Sequence, residues 1–538
     1  MRPAYTGCLS VKRCIRQFFG KHWIKLVRKM RSQIFRQIVC KAIRRALCSV
    51  SFAAQPVCCR LGGEYTMKIL FAASEALPFA ASGGLADVAG SLPAALGKHD
   101  DIDCRVVMPL YRSVAPNVRN KMTYLKDITV EVGWRKQYCG IYTIQVGKVT
   151  YYLLDNPYYF MRDGMYGFYD DCERFVFFSR AVLEILPALD WKPDIIHCND
   201  WQTAMVPVFY RVLYQYHQEF ENIRIIYTIH NIQYQGVYGK EVITELMGLP
   251  TYHTSLLEFD GMVNLMKGAI ETADRITTVS PTYAKELLDP WYSYGMDRAL
   301  VRRQDGIVGI LNGIDVIGYD PETDPNLKKN YSVTKMAGKK ECRAALLKEC
   351  GLTDSDAPVI GIVTRFVAHK GIQLVQQTFQ EMLQLGCRFV VLGSGERLYE
   401  DFFREMQAEY PEQVHVTVGF VPAMARRIYG GADMFLMPSQ NEPCGLAQMV
   451  AMRYGAIPVV RETGGLKDSV FDAGGKDGNG FTFKTYDAFD MLDAVKRACV
   501  LFTDKRKWNA LVRHAMKCDY SWNVSAEKYV ELYRSLLG

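Results

Sequence analysis

No run of about 18 apolar residues occurs anywhere in the 538 residues, so no membrane-spanning helix is expected. None of the 16 cysteines sits in a CxxC pair or at zinc-finger spacing, which argues against a structural zinc site. Ten of them are scattered through residues 67–538, the pattern of reduced thiols in a cytosol-like compartment. Low-complexity segments are missing as well. Acidic residues are almost absent from residues 1–66, where 14 Lys and Arg face a single Glu64. That leader carries +13 of a formal net charge of +8, leaving −5 on the other 472 residues. A mildly acidic body excludes the basic footprint expected of a nucleic-acid-binding domain.

What remains is ordinary in bulk, at 49% hydrophobic and 23% charged residues, and too long for one core. The leader mixes basic and apolar residues, as in Cys14-Ile15-Arg16-Gln17-Phe18-Phe19. An Arg-rich, acid-poor stretch fits an organelle transit peptide, but serine is sparse and Met67 stands directly before the first clear strand. Translation from an upstream start is the favoured reading; it places the protein in a bacterial cytoplasm, and the transit-peptide alternative places it in a plastid.

From Met67 the pattern alternates buried strand and helix. Short apolar runs predict strands at 68–73, 104–108, 149–154, 195–198, 223–229 and 276–279, and a second series at 359–364, 389–392, 414–418, 434–437 and 457–460. A polar, turn-rich stretch over 319–340 separates the series. The fold class expected is α/β, two doubly wound Rossmann-like lobes with an intervening cleft.

One phrase is written twice: Ser82-Gly83-Gly84-Leu85-Ala86-Asp87 and Thr463-Gly464-Gly465-Leu466-Lys467-Asp468. Each follows an apolar run and opens a helix, so each can aim free N–H groups and a partial positive charge at an anion. Ordinary strand-to-helix turns read the same way. Polar clusters also follow three strands of the first series and the apolar run Ile307-Val308-Gly309-Ile310-Leu311: His197-Cys198-Asn199-Asp200-Trp201-Gln202, His230-Asn231, Ser280-Pro281-Thr282-Tyr283 and Asn312-Gly313-Ile314-Asp315. Ligands of open parallel sheets bind beyond the carboxyl ends of the strands. Four polar clusters on one edge fit a polyhydroxylated ligand, with Trp201 available for a ring face; a single histidine there reads equally as a structural residue.

In the second series, Arg365 and Lys370 flank a strand–loop–helix junction and can both reach one diphosphate, the alternative being a solvated loop. Gly393-Ser394-Gly395-Glu396 starts like a dinucleotide fingerprint, but its third glycine and later acid are missing, which argues against an NAD-dependent dehydrogenase. Glu442-Pro443-Cys444-Gly445-Leu446 places a carboxylate at a strand end, fit to fix sugar hydroxyls or merely to cap a helix. Cys444 has no local base and reads as a packed thiol.

Taken in order, these phrases resemble the bacterial glycogen synthase and plant starch synthase family of GT-B glycosyltransferases, over residues 67–538. The matching residues run from Ser74-Glu75 and Gly83-Gly84-Leu85-Ala86-Asp87-Val88 through Asn199-Asp200-Trp201 and Thr228-Ile229-His230-Asn231. They continue through Leu311-Asn312-Gly313-Ile314-Asp315, Arg365 to Gly371, Glu442 to Leu446 and Thr463 to Leu466, ending at Tyr520-Ser521-Trp522. The resemblance implies an acceptor-side lobe at 67–318, a connection at 319–340, a nucleotide-sugar lobe at 341–515 and a final helix at 516–538 crossing back. It implies retaining transfer of glucose from ADP-glucose to the non-reducing 4-OH of an α-1,4-glucan, with no cofactor and no metal. Arg365 and Lys370 would hold the diphosphate, Glu442 the donor glucose, and His230 the same sugar. Asp87, Asp200, Trp201, Asn312 and Gly445 would line the pocket. Gly83, Gly84, Thr463, Gly464 and Gly465 would bring backbone N–H groups near the donor.

Three positions depart from the family pattern: Ala81 where lysine is usual, Phe420 for tyrosine and Arg343 for lysine. They bear on donor affinity and nucleotide choice. Two other readings keep the fold: a UDP-glucose-dependent or sucrose-synthase-like transferase, and a weakly active glucan-binding regulator prompted by Ala81. Oligomeric state has no signature in the sequence.

Overall fold

The computed structural model describes residues 65–538, and the readings of the leader lie outside the described residues apart from its last two positions. The first sheet is assembled around β1 (Met67–Ala72), whose run of apolar side chains is almost wholly buried. It continues with β2 (Ile102–Pro109), β3 (Thr123–Val132), β4 (Arg135–Val146), β5 (Val149–Asp155), β6 (Ile195–Asn199) and β7 (Arg224–Ile229). A separate small sheet holds β8 (Val237–Tyr238), β9 (Glu258–Phe259) and β10 (Met262–Asn264), and β11 (Arg275–Thr278) and β12 (Ile307–Gly309) return to the first.

The nine strands of the first sheet lie in the order β12-β11-β7-β6-β1-β2-β5-β4-β3. From β12 to β5 every pairing is parallel, and β3 and β4 close the edge as an antiparallel hairpin. The chain leaves β1 toward β2 on one side and later takes up β6 on the other. The crevice at this reversal is where doubly wound sheets bind ligands.

The second sheet is wholly parallel: β13 (Val359–Val363), β14 (Arg388–Gly393), β15 (Val414–Val418), β16 (Met434–Met437), β17 (Ile457–Arg461) and β18 (Phe481–Phe483), in the order β15-β14-β13-β16-β17-β18. Every residue of β16 and β17 is buried, as expected for strands covered by helices on both faces. The two lobes are thus the Rossmann-like pair expected from the sequence.

The hairpin of β3 and β4 has no counterpart among the expected strands. Only Val130 and Val132 of β3 are buried, so the segment offers no continuous apolar run. Gly133, at φ +57°, supplies the left-handed turn between them. The stretch after Tyr319 packs onto the second lobe: Asp324 accepts from Tyr454 Oη (2.5 Å), and Tyr331 Oη donates to the Tyr454 carbonyl (2.7 Å). The helix that follows begins at Ala337.

Two sets of bonds join the lobes. The helix Trp522–Leu537 returns to the first lobe, where Ser525 Oγ donates to the Leu311 carbonyl (2.6 Å) and Tyr533 Oη bonds His197 Nδ1 (2.7 Å). On another side, Thr282 donates through its N–H and Oγ1 to the two carboxylate oxygens of Asp468 (2.7 and 2.6 Å), and Ser280 Oγ donates to the Pro443 carbonyl (2.7 Å).

Candidate active site

Between the carboxyl ends of the two sheets lies a cleft of about 830 Å³ with walls from both lobes. Ten of the fourteen expected site residues line it: Gly83, Gly84, Asp200, Trp201, His230 and Asn312 from the first lobe, and Arg365, Lys370, Glu442 and Gly445 from the second. Strand ends explain the convergence: Asp200 follows β6, His230 follows β7, and Glu442 sits five residues beyond β16.

The second-lobe wall is charged. Lys370 Nζ donates to Glu442 Oε2 at 2.6 Å, and Ser439 Oγ donates to the same oxygen at 2.9 Å. Both charged side chains are largely buried, so each is held by the other; removing one strands the partner. Lysine has three N–H donors, and the carboxylate takes one. Gly371 makes the turn possible: its φ is +76°, and a Cβ there would sit 2.0 Å from the Pro438 carbonyl. Arg365 is exposed on the same wall, and its guanidinium has no hydrogen-bond or ion-pair partner among the described residues.

The facing wall is polar and mostly uncharged. Burial pushes the His230 ring down to about 3, so it is neutral at physiological pH. Asn199 fixes its tautomer. The amide nitrogen of Asn199 donates to the carbonyls of Ala72 (3.0 Å) and His197 (3.2 Å). Its Oδ1 is therefore the end that meets His230 Nε2 at 2.9 Å and must accept from it. His230 Nδ1 is left as an acceptor. Asp200 has φ +57°, an uncommon state for a non-glycine residue, and its Oδ1 accepts from the His230 N–H (2.8 Å). Burial first, then the nearby Glu75 carboxylate, pushes Asp200 up to about 7, against two backbone hydrogen bonds that lower it. Asn312 Oδ1 is buried without a partner.

Four expected residues do not reach the cleft. Asp87 is half-buried in the first turn of helix Gly84–Leu96, its carboxyl raised by burial and by Asp315. Thr463, Gly464 and Gly465 form a joint between lobes. Glu286 of the first lobe accepts from Thr463 Oγ1 (3.0 Å) and with both oxygens from the Gly464 N–H (3.0 and 3.1 Å). The Gly465 N–H donates to the carbonyls of Glu442 and Pro443 (both 3.1 Å). The N–H groups of residues 463–465, assigned to a donor by the sequence reading, thus have protein acceptors. Two of the three departures fall away from the cleft: Arg343 pairs with Asp433 (3.0 Å) and Asp354 (2.6 Å), and Phe420 is in solvent, whereas Ala81 is exposed directly before Ser82, which lines the cleft.

Cys444 is buried and burial pushes its thiol up to about 12, so it carries no thiolate at neutral pH. His197 lies inside the sheet between Tyr533 and Thr228, a structural residue. Sequence reasoning missed Asn199 as the orienting group for His230, and Glu286 altogether. The first stood within a quoted cluster; the second has no local signal, because its partners are 177 and 178 residues away.

Two facing Rossmann-type sheets, with a charged wall opposite a polar one, are the arrangement of a glycosyltransferase of the two-lobed GT-B class. Residues 68–302 match the starch synthase catalytic domain family, and residues 347–508 match the glycosyl transferases group 1 family. Glycogen synthase of Alkaliphilus metalliredigens is 47% identical over 475 residues, 87% of this chain and all of that protein. Glycogen synthase of Geobacillus stearothermophilus is 46% identical over 476 residues, covering 88% of this chain and 98% of that one. The catalytic domain of starch synthase IV from Arabidopsis thaliana, solved bound to ADP and acarbose, superposes with a TM-score of 0.80 at 35% identity, over 88% of this chain and 99% of that one. Sucrose-phosphate synthase from Thermosynechococcus elongatus shares the fold, with a TM-score of 0.54 at 17% identity over 87% of this chain and 99% of that one. The chain belongs to the glycogen synthase and starch synthase family, and is an enzyme of glycosyl transfer.

Proposed function

We propose that the protein transfers glucose from ADP-glucose to the non-reducing 4-OH of an α-1,4-glucan with retention at the anomeric carbon. The observation that carries this reading is the Lys370–Glu442 pair beside the unpaired Arg365, facing His230 across one cleft. Arg365 and the two free donors of Lys370 meet the diphosphate and stabilise its departing charge. Glu442 and His230 Nδ1 accept from hydroxyls of the donor glucose, and Asp200, Trp201, Asn312 and Gly445 complete its surroundings. A Cβ added at Gly83 or Gly84 meets nothing within 4 Å, so the space above these glycines belongs to the cleft and lets a ligand approach the backbone.

The bond from the anomeric carbon to the diphosphate oxygen breaks as the acceptor O4 approaches on the same face. The acceptor proton passes to the departing phosphate oxygen. An oxocarbenium-like sugar bridges the two events, held by orientation in the cleft. The reading needs no bound cofactor, since fixed cations meet the leaving charge. Among the described residues no group of three or more His, Cys, Asp or Glu side chains is placed to hold a metal ion, and no helix is long and apolar enough to cross a membrane.

The structural relative bound to ADP and acarbose supports an adenine nucleotide and a glucan-like acceptor in this cleft. Labelled glucose incorporation into glycogen from ADP-glucose, and separately from UDP-glucose, tests the proposal. Incorporation from ADP-glucose supports it; incorporation only from UDP-glucose overturns the donor, and none from either overturns the reaction.

A further inference from the structure

Ten cysteines lie among the described residues, and the transfer reaction uses none of them. Burial pushes the thiols of Cys139, Cys350 and Cys444 up to about 12, so these stay protonated and inert. One pair differs. Cys387 Sγ and Cys499 Sγ face each other at 3.6 Å, although 112 residues separate them in the chain. No other two cysteines among the described residues hydrogen-bond to each other.

The fold holds both partners in place. Cys387 stands in the turn between helix Ile372–Gln384 and β14, directly after Gly386 with its φ of +84°. Its carbonyl and that of Leu383 accept from Gln413 Nε2 (3.5 and 3.2 Å), and the next residue, Arg388, donates its N–H to the Pro358 carbonyl (3.0 Å). Cys499 lies in helix Ala488–Thr503, at the edge of the buried face beside Ala498, and that helix packs against Ile372–Gln384. Cys387 is sealed, whereas Cys499 is partly exposed. The Cys387 S–H, donating to the Cys499 sulfur, holds that thiol below the usual thiol range against the effect of burial. The same bond, and then burial, pushes Cys387 up. A reachable, more acidic thiol beside a sealed one lets oxidation begin on the first sulfur and be resolved by the second.

We infer that Cys387 and Cys499 are a modification site: a thiol pair that a peroxide closes into a disulfide within the second lobe. The Cys499 thiolate attacks one peroxide oxygen, the O–O bond breaks, and hydroxide leaves a sulfenic acid on Cys499. The Cys387 sulfur then attacks the Cys499 sulfur; the S–S bond forms, the S–O bond breaks, and the Cys387 proton leaves with that oxygen as water. Two electrons have passed from the sulfurs to the peroxide, and an external dithiol returns them. A shift of about 1.5 Å brings the two sulfurs to the bonding distance of about 2.0 Å. The bond ties the start of β14 to a helix at the far end of the lobe, and the span it encloses carries Glu442 and the Gly464–Gly465 joint. Cys387 sits at the amino end of β14, whereas the cleft lies beyond the carboxyl ends, roughly 20 Å along a six-residue strand. The disulfide therefore fixes the second lobe by restricting its unfolded chain and leaves the reacting groups where they are.

Non-reducing peptide mapping of the whole protein after treatment with hydrogen peroxide reads the bond directly. The expected result is a linked peptide containing Cys387 and Cys499, two hydrogens lighter than the free peptides together and lost on adding dithiothreitol. The melting temperature should rise by about 5–10 °C on oxidation and fall back on reduction, with the rate of glucose transfer at ordinary temperature unchanged. Cys499→Ser, a change at a partly exposed position, should start within about 2 °C of wild type and show no response to peroxide; Cys499→Ala, which adds no polar group, should do the same. Absence of the linked peptide, or its appearance only once the other eight described cysteines are oxidised too, overturns the pair. A linked peptide without a rise in melting temperature, or a rise that persists in both Cys499 variants, overturns the fixing of the lobe. A transfer rate that falls in step with crosslinking overturns its separation from the cleft.

Discussion

The two Gly-Gly phrases are nearly the same in sequence and opposite in surroundings. Gly83 and Gly84 stand over open space on the wall of the cleft, where an added Cβ touches nothing. Gly464 and Gly465 are enclosed: a Cβ at the first would lie 2.0 Å from the Glu442 carbonyl, and at the second 2.2 Å from the Cys444 carbonyl. In one loop the absent side chain leaves room for a ligand; in the other it leaves room for the backbone that carries Glu442. The second loop is then sealed to the first lobe by Glu286. The same local signal, a Gly-Gly step opening a helix, therefore faces the cleft once and joins the lobes once.

The largest effect expected lies between the two loops. Lys370→Ala should lower kcat by about 10²–10³-fold, because it removes a fixed cation from the leaving diphosphate. A near-normal kcat would take the charged wall out of the mechanism and leave the first loop without a partner. Next comes the glycines themselves. Gly465→Ala should cost about 3 kcal/mol of stability by forcing backbone apart. Gly83→Ala should stay within about 0.5 kcal/mol in denaturant titration while weakening donor binding. Equal destabilisation by both would erase the distinction.

A smaller effect is expected at the seal. Glu286→Gln keeps the shape but loses the charge on three hydrogen bonds, worth about 2 kcal/mol by the same titration, with the donor KM unchanged. A raised donor KM would return the second loop to the ligand. Smallest is Ala81→Lys, which adds an exposed cation next to the first loop; the ADP-glucose KM should fall about two- to threefold at low salt and less at high salt. No change in KM would show that this edge of the loop faces away from the donor.

Much of this architecture was legible because parallel strands buried on both faces appear as continuous apolar runs. β1, β6, β7, β16 and β17 are such runs, and the rule that ligands lie beyond their carboxyl ends led to Asp200, His230, Arg365 and Glu442. The hairpin of β3 and β4 was not legible, since most of its side chains face solvent on a sheet edge. Nor was β18, whose three residues are too few for a period. At the site, residue types were readable but pairings were not. That Lys370 closes on Glu442 across 72 positions, that Asn199 selects the tautomer of His230, and that Glu286 takes the N–H of Gly464 are all results of folding two sheets face to face.

A crystal structure of the protein with ADP bound tests the central claim most directly. The account predicts both phosphates within hydrogen-bonding distance of Arg365 and Lys370, in the cleft faced by Gly83 and Gly84, with Glu286 still bonded to Gly464. Phosphates seated on the N–H groups of residues 463–465, with Glu286 displaced, would contradict it.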